Sequence, residues 1–432
     1  MAVAEAVEAN VERIHWEDHP GQALVRDSGA RFRIVVAGRQ WGKTAFAVIE
    51  ALREHGRRAP AALAQHPPLW PPVRIWHVLP NYPLTMEAVL RFEQLLPNKL
   101  IVRRNRQEHW VELPDGSLYQ WKSADDPDSL RGAGVDFLIV DEAAMVSLEA
   151  WHVLLPTLAA RKGRVLIIST PKGGGWFKDK YTQGKDTDNV RRGRYESWQF
   201  TSFDNPHLDE ETLNEIAVNL TEDMLAQELE AQFITGEGSV FKSIEAICTA
   251  RPEGPIPGVR YIMGVDWGRK TDSSAIAVLD PARRRMVHVE EFSRGSWKMV
   301  RERVKMRAEE YNQALVVADD TGIGDPVNEE FLRIYPRLER VLIEQTNKSH
   351  FVEHLVILME NGDVELLDDR TLKAQLESYE KRKSQTGRTT VYEAPQGKHD
   401  DEVTATFLAV SKLGRTWKRW LPWTGKGRRR VG

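Results

Sequence analysis

AGRQWGKT (37–44) stops one glycine short of a phosphate-binding loop. The general pattern is G-x-x-x-x-G-K-[ST]: backbone N–H groups cradle phosphates, the lysine reaches the β/γ-phosphates and the hydroxyl binds Mg²⁺. Here Ala37 stands where the first glycine belongs, while Gly42, Lys43 and Thr44 are in place. The segment follows a short branched apolar run, RIVVA (33–37), and precedes TAFAVIEALREHG, which reads as a helix. Strand, loop and helix is the context that the motif demands. A bare GKT is common, so the rest of the chain has to separate a lookalike from a variant nucleotide site.

Outward from the loop, RIWHVL (74–79), FLIV (137–140) and VLIIS (165–169) are further short runs rich in branched residues, each followed by a turn and a helical stretch. That alternation predicts an α/β unit with a parallel sheet covered by helices. FLIVDEAA (137–144) ends in paired carboxylates, Asp141 and Glu142. ATP hydrolysis needs such a pair, one acid to hold the Mg²⁺ shell and one to orient and deprotonate water. Capping of a following helix would explain a DE pair, but not its place after an apolar strand downstream of GKT. VLIIST ends in Ser169 and Thr170, placed to sense the γ-phosphate. Together these predict an ATPase, with Arg39, Gln40, Gly42, Lys43, Thr44 and Ala45 as loop contacts of ATP and with Mg²⁺ at Thr44 and Asp141. Residues 205–250 are expected to form a helical lid, with Asp209 and Thr221 as N-caps of two helices.

Composition sets outer limits. A 432-residue chain, 41% hydrophobic and 28% charged, suits two globular domains. One cysteine, Cys248, excludes an internal disulfide framework. The N-terminus mixes acids into its apolar residues, unlike a signal peptide, and no apolar run reaches the roughly 20 residues of a membrane span. The sequence therefore reads as a soluble, intracellular protein without a membrane partner. Net charge is only -3, yet from Lys412 onward the chain carries eight Lys and Arg and no acid. Tryptophans interleave this basic tail (416–432), which fits either a solvated terminus or a docking arm. ARPEGPIPG (250–258) is too rich in Pro and Gly to continue an element. It is taken as the domain boundary, with a motor domain at 1–250, a linker at 251–258 and a second domain at 259–415.

The second domain begins with three strand-like runs, RYIMGVDWG, SSAIAVLD and MVHVEEFS. A helix (297–312), the strand ALVVAD (314–319), another helix, the strand VLIEQ and a final helix from about His399 follow. Antiparallel strands followed by helix-linked strands resemble the RNase H-like fold.

The loop G-R-x-W-G-K-T, with an internal arginine and no first glycine, resembles that of the large terminase subunits of tailed bacteriophages. The likeness extends to HPGQ (19–22), SLRGAGVDFLIVDEAA, STPKG, and DNP before the lid. It implies that Gln22 contacts adenine, that Asp141 holds Mg²⁺ and that Glu142 is the catalytic carboxylate. Arg131, in SLRGAG, would be a finger completing a neighbouring subunit's site, since such arginines stabilise charge on a transferred phosphoryl group. It could instead bridge to Asp125, Asp126 or Asp128, and Arg39 is the other candidate finger or a plain surface arginine.

The resemblance also implies a nuclease whose aspartates hold two Mg²⁺ or Mn²⁺ ions for phosphodiester cleavage, hard cations preferring oxygen ligands. The matching segments are GVDWG with Asp266, VVADDTGIGD with Asp319, and GKHDDEVTATFLA with Asp400 and Asp401. Asp319 fits better than Asp320, standing two residues before the Thr of TG. Either Asp400 or Asp401 is the direct ligand. Asp272 is an auxiliary ligand or a turn residue, and His399 a ligand, a helix-end residue or a DNA contact. HFVEH (350–354) matches a zinc-peptidase pattern, but five residues recur by chance and these lie between two acid motifs. The family implies double-stranded DNA, a portal protein, a small terminase subunit and sister copies in a pentameric ring as partners, at the procapsid portal in the host cytoplasm. Two rivals differ in class. A remodelling ATPase would lack the three acidic segments. A regulatory subunit with dead sites would lack Lys43, Glu142, Asp266 or Asp319.

Overall fold

The structure is a computed structural model, and it describes residues 16–64, 71–96, 100–172, 175–234, 238–268, 273–292, 296–321, 324–344, 347–383, 390–395 and 399–414. Asp272 and the basic tail at 416–432 lie outside the described residues. Two compact units divide the chain: Met1–Ala217 with Asp223–Thr235, and Val218–Glu222 with Gly236–Gly432.

The first unit is built on β1 (Phe32–Ala37), β2 (Arg74–Leu79), β3 (Arg103–Asn105), β4 (Trp110–Glu112), β5 (Leu118–Ser123), β6 (Phe137–Asp141), β7 (Arg164–Ser169) and β8 (Tyr195–Phe200). They form one sheet in the order β3-β4-β5-β2-β6-β7-β1-β8. All neighbours from β5 to β8 run parallel, and β3 and β4 extend the edge antiparallel. Both faces are covered, which is why the central strands are apolar at most positions. Val35 and Ala37 of β1 pack with Phe46 and Phe92 on one face. Ile34 and Val36 pack with Trp151, Trp176 and Phe177 on the other.

The second unit contains β9 (Gly238–Ser239), β10 (Cys248–Ala250), β11 (Ile262–Asp266), β12 (Ser274–Asp280), β13 (Arg285–Phe292), β14 (Leu315–Asp319), β15 (Leu338–Val341), β16 (Leu366–Leu367), β17 (Glu380–Lys383) and β18 (Thr390–Glu393). Its main sheet runs β13-β12-β11-β14-β15, antiparallel up to β11 and parallel beyond it. This is the strand plan expected of an RNase H-like fold. The smaller sheets are β10-β16 and β18-β17-β9.

Two sequence expectations shift. The units meet in sequence near 235 rather than at the Pro/Gly segment, because β10 pairs with β16 and so belongs with the second unit. ARPEGPIPG is held within that unit: the Glu253 N–H donates to the Val287 carbonyl and its own carbonyl accepts from the Tyr311 hydroxyl. The last strand of the main sheet is Leu338–Val341, ahead of VLIEQ, with which it shares only Val341. Past Val341 the chain turns in, and the Ile343 N–H reaches Thr321 Oγ1 at 3.0 Å.

The helix Asp401–Val410 is buried along its whole length and lies directly against β11. A Cβ on Gly264 would stand 1.9 Å from the Ala405 carbonyl oxygen and 2.5 Å from the Ala409 nitrogen. Both are backbone atoms of that helix and cannot rotate away. Gly264→Ala is therefore expected to cost about 3 kcal/mol or more, the upper range for overpacking. Calorimetry should show the second unit's transition moving down while the first unit's holds, and a variant that melts like the parent would refute the close approach.

Candidate nucleotide and metal sites

In the first unit the loop after β1 carries Gln40 and Gly42 at positive φ, 61° and 93°. Gly42 begins the helix Lys43–Leu63, which also contains Thr44 and Ala45. The loop's close approach falls at Gly38, where a Cβ would lie 2.5 Å from both the Leu229 carbonyl and Ser202 Oγ. The required glycine thus stands one position downstream of Ala37, which ends β1 fully buried. Trp41, also fully buried, stacks on Phe200 at 4.9 Å and meets His19 edge-on at 4.8 Å. Sequence reasoning quoted Gly38 and Trp41 within the loop pattern but gave neither a structural role. The tryptophan could have been found as a large apolar residue inside an otherwise polar loop.

Lys43 is buried, and its Nζ donates to the carbonyls of Ala37 (3.2 Å) and Gly38 (3.0 Å) and to Thr170 Oγ1 (2.9 Å). Burial pulls its amine below the usual lysine range, opposed by the charges of Glu142 and Asp141. Asp141 has no exposure. Burial would raise its carboxyl, but bonds from His77 and Thr44 and the charge of Lys43 hold it below the usual carboxylate range. Glu142 goes the other way, raised first by burial and then by Asp141. A carboxylate raised toward neutrality is suited to accept a proton from water. Glu142 also sits at φ 48°, a left-handed conformation that costs energy in a non-glycine residue and concentrates at functional sites. The Ser169 hydroxyl lies 3.3 Å from Glu142 Oε2 and accepts from the Ala144 N–H. Gln40, Gly42, Lys43, Thr44, Asp141, Glu142, Ser169 and Thr170 thus come together at the ends of β1, β6 and β7.

Gln22 and His19 flank the loop from the Pro20–Arg26 helix. Gln22 Nε2 is the nearest atom to a Cβ on Gly42, at 3.0 Å. Gln22 Oε1 and His19 Nδ1 are buried with no hydrogen-bond partner among the described residues. Unmet buried polar atoms are costly, so their presence beside the loop fits recognition of a hydrogen-bonding ligand.

The lid segment grips the loop. Ser202 Oγ donates to the Arg39 carbonyl (2.6 Å) and Asn205 Nδ2 to that of Gln40 (2.7 Å). Arg39 Nε pairs with Glu228 at 2.6 Å, and its charge lowers the Glu142 carboxyl. Arg131 is placed elsewhere. Its Nε pairs with Asp128 at 2.8 Å, both side chains being largely exposed (68% and 80%). It borders a groove of about 850 Å³ lined also by Leu148, His152, Val153 and Pro156.

In the second unit Asp266 ends β11, Asp319 ends β14, and Asp400 and Asp401 open the last helix. Burial pushes the Asp266 carboxyl well above its ordinary range, and Asp401, Asp400 and Asp319 push it further. The four aspartates therefore share one locus. Asp319 accepts from the Thr321 N–H (2.9 Å) and hydroxyl (2.7 Å) on Oδ1 alone. Asp320 is instead held by Arg340 at 2.7 Å and 2.8 Å and by Asn328 at 3.0 Å. Lys348 Nζ lies 3.4 Å from Asp400, and His399 Nδ1 lies 3.7 Å from Asp401. Glu402, which sequence reasoning left aside, is buried and pushed up to about 8 by burial, Asp369, Glu291 and Asp401. Among the described residues no three His, Cys, Asp or Glu side chains stand in a chelating arrangement. The donor set, all carboxylate oxygen, suits hard divalent cations. HFVEH serves packing: His354 Nε2 lies 3.2 Å from the Val410 carbonyl and Glu353 accepts from the Tyr392 hydroxyl.

Comparison with known proteins agrees with this division. Residues 34–246 match a family model described as terminase large subunit, T4likevirus-type, N-terminal, and residues 263–413 match one described as terminase RNaseH-like domain. A large terminase subunit of Thermus virus P23-45 is 28% identical over 93% of this chain and 88% of its own. One from Escherichia phage T5 is 32% identical over 49% of this chain and 50% of its own. A solved large terminase of a thermophilic bacteriophage shares the fold at a TM-score of 0.50 and 12% identity, covering 92% of this chain and all of that one.

Like charges crowding Asp266 have a measurable consequence. A carboxyl raised in the folded state leaves stability intact below its unfolded value of 3.8 and erodes it as pH rises above that. Asp266→Asn removes the repulsion. In EDTA at pH 8 the variant should melt above the parent, by roughly 2–4 °C per kcal/mol relieved, and the gap should close near pH 4. Added Mn²⁺ should stabilise the parent and not the variant. A variant less stable than the parent in EDTA would contradict the shared acidic locus.

Proposed function

The chain belongs to the large terminase subunits, and from that premise we propose that its first unit hydrolyses ATP to drive double-stranded DNA into a procapsid while its second cuts concatemeric DNA. The observation that carries the reading is the gathering of acids at the ends of the parallel strands in each unit. In the first they are joined by a buried lysine, and in the second they crowd one another.

In the first unit Lys43 holds the phosphates, Thr44 and Asp141 hold Mg²⁺, and Gln22 takes the adenine edge with its unmet Oε1. Glu142, with its raised carboxyl, removes the proton from attacking water, and Ser169 and Thr170 report the γ-phosphate to the lid through Lys43. In the second unit Asp266, Asp319, Asp400 and Asp401 hold two Mg²⁺ or Mn²⁺ ions, with Asp272 as an auxiliary ligand. Bound divalent ions supply activated water and stabilise the leaving oxygen in phosphodiester cleavage. The DNA is gripped by its phosphates, so translocation is sequence-independent and salt-sensitive. The portal, a small terminase subunit and a pentameric ring of sister copies complete the machine in the host cytoplasm.

Arg131 acts in the neighbouring subunit of that ring. An exposed ion pair contributes about 0–1 kcal/mol, so Asp128 releases the guanidinium at little cost. Arg39, paired with Glu228 and coupled to Glu142 of its own chain, supports the loop in cis.

Two experiments test this reading. Lys43→Ala should abolish ATP hydrolysis yet leave Mn²⁺-dependent plasmid nicking intact, and Asp266→Asn should do the reverse, with cleavage falling by orders of magnitude. Loss of both activities in either folded variant would break the division of labour. For Arg131, Arg131→Ala and Glu142→Ala should each be inactive alone, but mixed assemblies should recover ATPase activity wherever an intact site meets an intact arginine. No recovery in assemblies shown to contain both chains would transfer the role to Arg39.

A further inference from the structure

Behind Asp141 the bond from His77 continues into a buried polar chain that ends on Tyr119. His77 sits in β2, between β5 and β6, and has no exposure. Its Nδ1 faces the Tyr119 hydroxyl at 3.0 Å, and its Nε2 faces Asp141 Oδ2 at 3.3 Å. The sheet register brings the three together. His77 stands opposite Trp121 of β5 and Ile139 of β6, and Tyr119 and Asp141 are each two residues along their strands, on the same face. Phe92 and Trp121 close around Tyr119, each with ring centroids 4.6 Å from it, and fix the phenol.

Donor and acceptor logic sets the proton positions. An ionised carboxylate only accepts, so Nε2 carries hydrogen; in a neutral ring Nδ1 then accepts, and the Tyr119 hydroxyl donates to it. Asp141 Oδ1 accepts from the Glu142 N–H at 2.9 Å. Both carboxylate oxygens are thus oriented by donors, one of which belongs to the catalytic acid's own backbone.

We propose that His77, itself held by Tyr119, is a positioning residue for the nucleotide's Mg²⁺, fixing the orientation of the Asp141 carboxylate that would hold the ion. This rests on the reading of Asp141 as the acid that holds Mg²⁺. Donors behind a metal-binding carboxylate are worth about 10–100-fold in metal affinity or activity. A histidine present only to fill space would have no such effect.

The test compares three variants of the full chain by the affinity of a fluorescent ATP analogue in Mg²⁺ and in EDTA, alongside kcat and KM for MgATP. His77→Phe keeps the volume and removes the donor. It should lose the Mg²⁺-dependent gain in affinity and lower kcat by about 10–100-fold, with affinity in EDTA unchanged. His77→Gln can still donate to Asp141 and accept from Tyr119, and should retain most of the gain. Tyr119→Phe, which deletes one hydroxyl, should show a smaller loss in the same direction. The inference is overturned if His77→Phe keeps the gain, if it weakens binding equally in EDTA, or if His77→Gln is as damaged as His77→Phe. Should His77→Phe fail to fold, an unchanged gain in Tyr119→Phe overturns it. No Mg²⁺-dependent gain in the unmodified protein overturns the Asp141 reading and the inference with it.

Discussion

Asp141 is a carboxylate with no exposure at the end of a central strand, and much of the first unit's site follows from the need to compensate that charge. An isolated ion in a low-dielectric interior is so costly that a protein ordinarily protonates it or pairs it. Here it stays below the usual carboxylate range because three groups converge on it: His77 from β2, Thr44 from the helix after the loop, and Lys43 through space. Lys43 in turn needs acceptors, which it finds in the Ala37 and Gly38 carbonyls and in Thr170. The same few bonds that satisfy the buried charges therefore lock β1, β2, β6 and β7 into the geometry of the site.

The second unit handles buried acid differently. Asp266 has Asp401, Asp400 and Asp319 for neighbours, and the charge of Lys348 opposes them. Its carboxyl moves up rather than down. Glu402 one residue further on is pushed the same way by burial and by Asp369, Glu291 and Asp401. The helix carrying Asp400 and Asp401 cannot retreat to relieve the crowding, because it is packed backbone to backbone on Gly264. The acids are held together by packing against their mutual repulsion.

How much of this was legible in the sequence depended on whether the signal was local. The strands buried on both faces, RIVVA, RIWHVL, FLIV and VLIIS, announce themselves because nearly all of their positions are apolar. LYQWKS and YESWQF, which became β5 and β8, did not, since most of their side chains are polar or only partly covered. Acids at strand ends were readable from the motifs that carry them. His77 was not, because in RIWHVL it looks like one polar residue in an apolar strand. Its partners lie 42 and 64 residues away and meet it only through sheet order. The Pro/Gly segment misled for a related reason: it marks a surface loop, whereas the boundary was decided by β10, a three-residue strand whose partner lies more than a hundred residues later.

The apparent defect in the loop follows the same logic. A glycine is required where the backbone is approached too closely for a Cβ, and the position of that approach belongs to the fold rather than to the motif. In this chain Leu229 and Ser202 crowd position 38, while position 37 ends β1 with its methyl group packed in the sheet's core. An alanine at 37 adds buried apolar contact, and a glycine at 38 lets the lid segment touch the loop backbone. The same two segments that crowd the glycine also bond its neighbour, since Ser202 donates to the Arg39 carbonyl and the Arg39 N–H donates to that of Glu228. The displaced glycine is thus the place where the lid is fastened to the phosphate loop, and a shift of either is felt directly by the other.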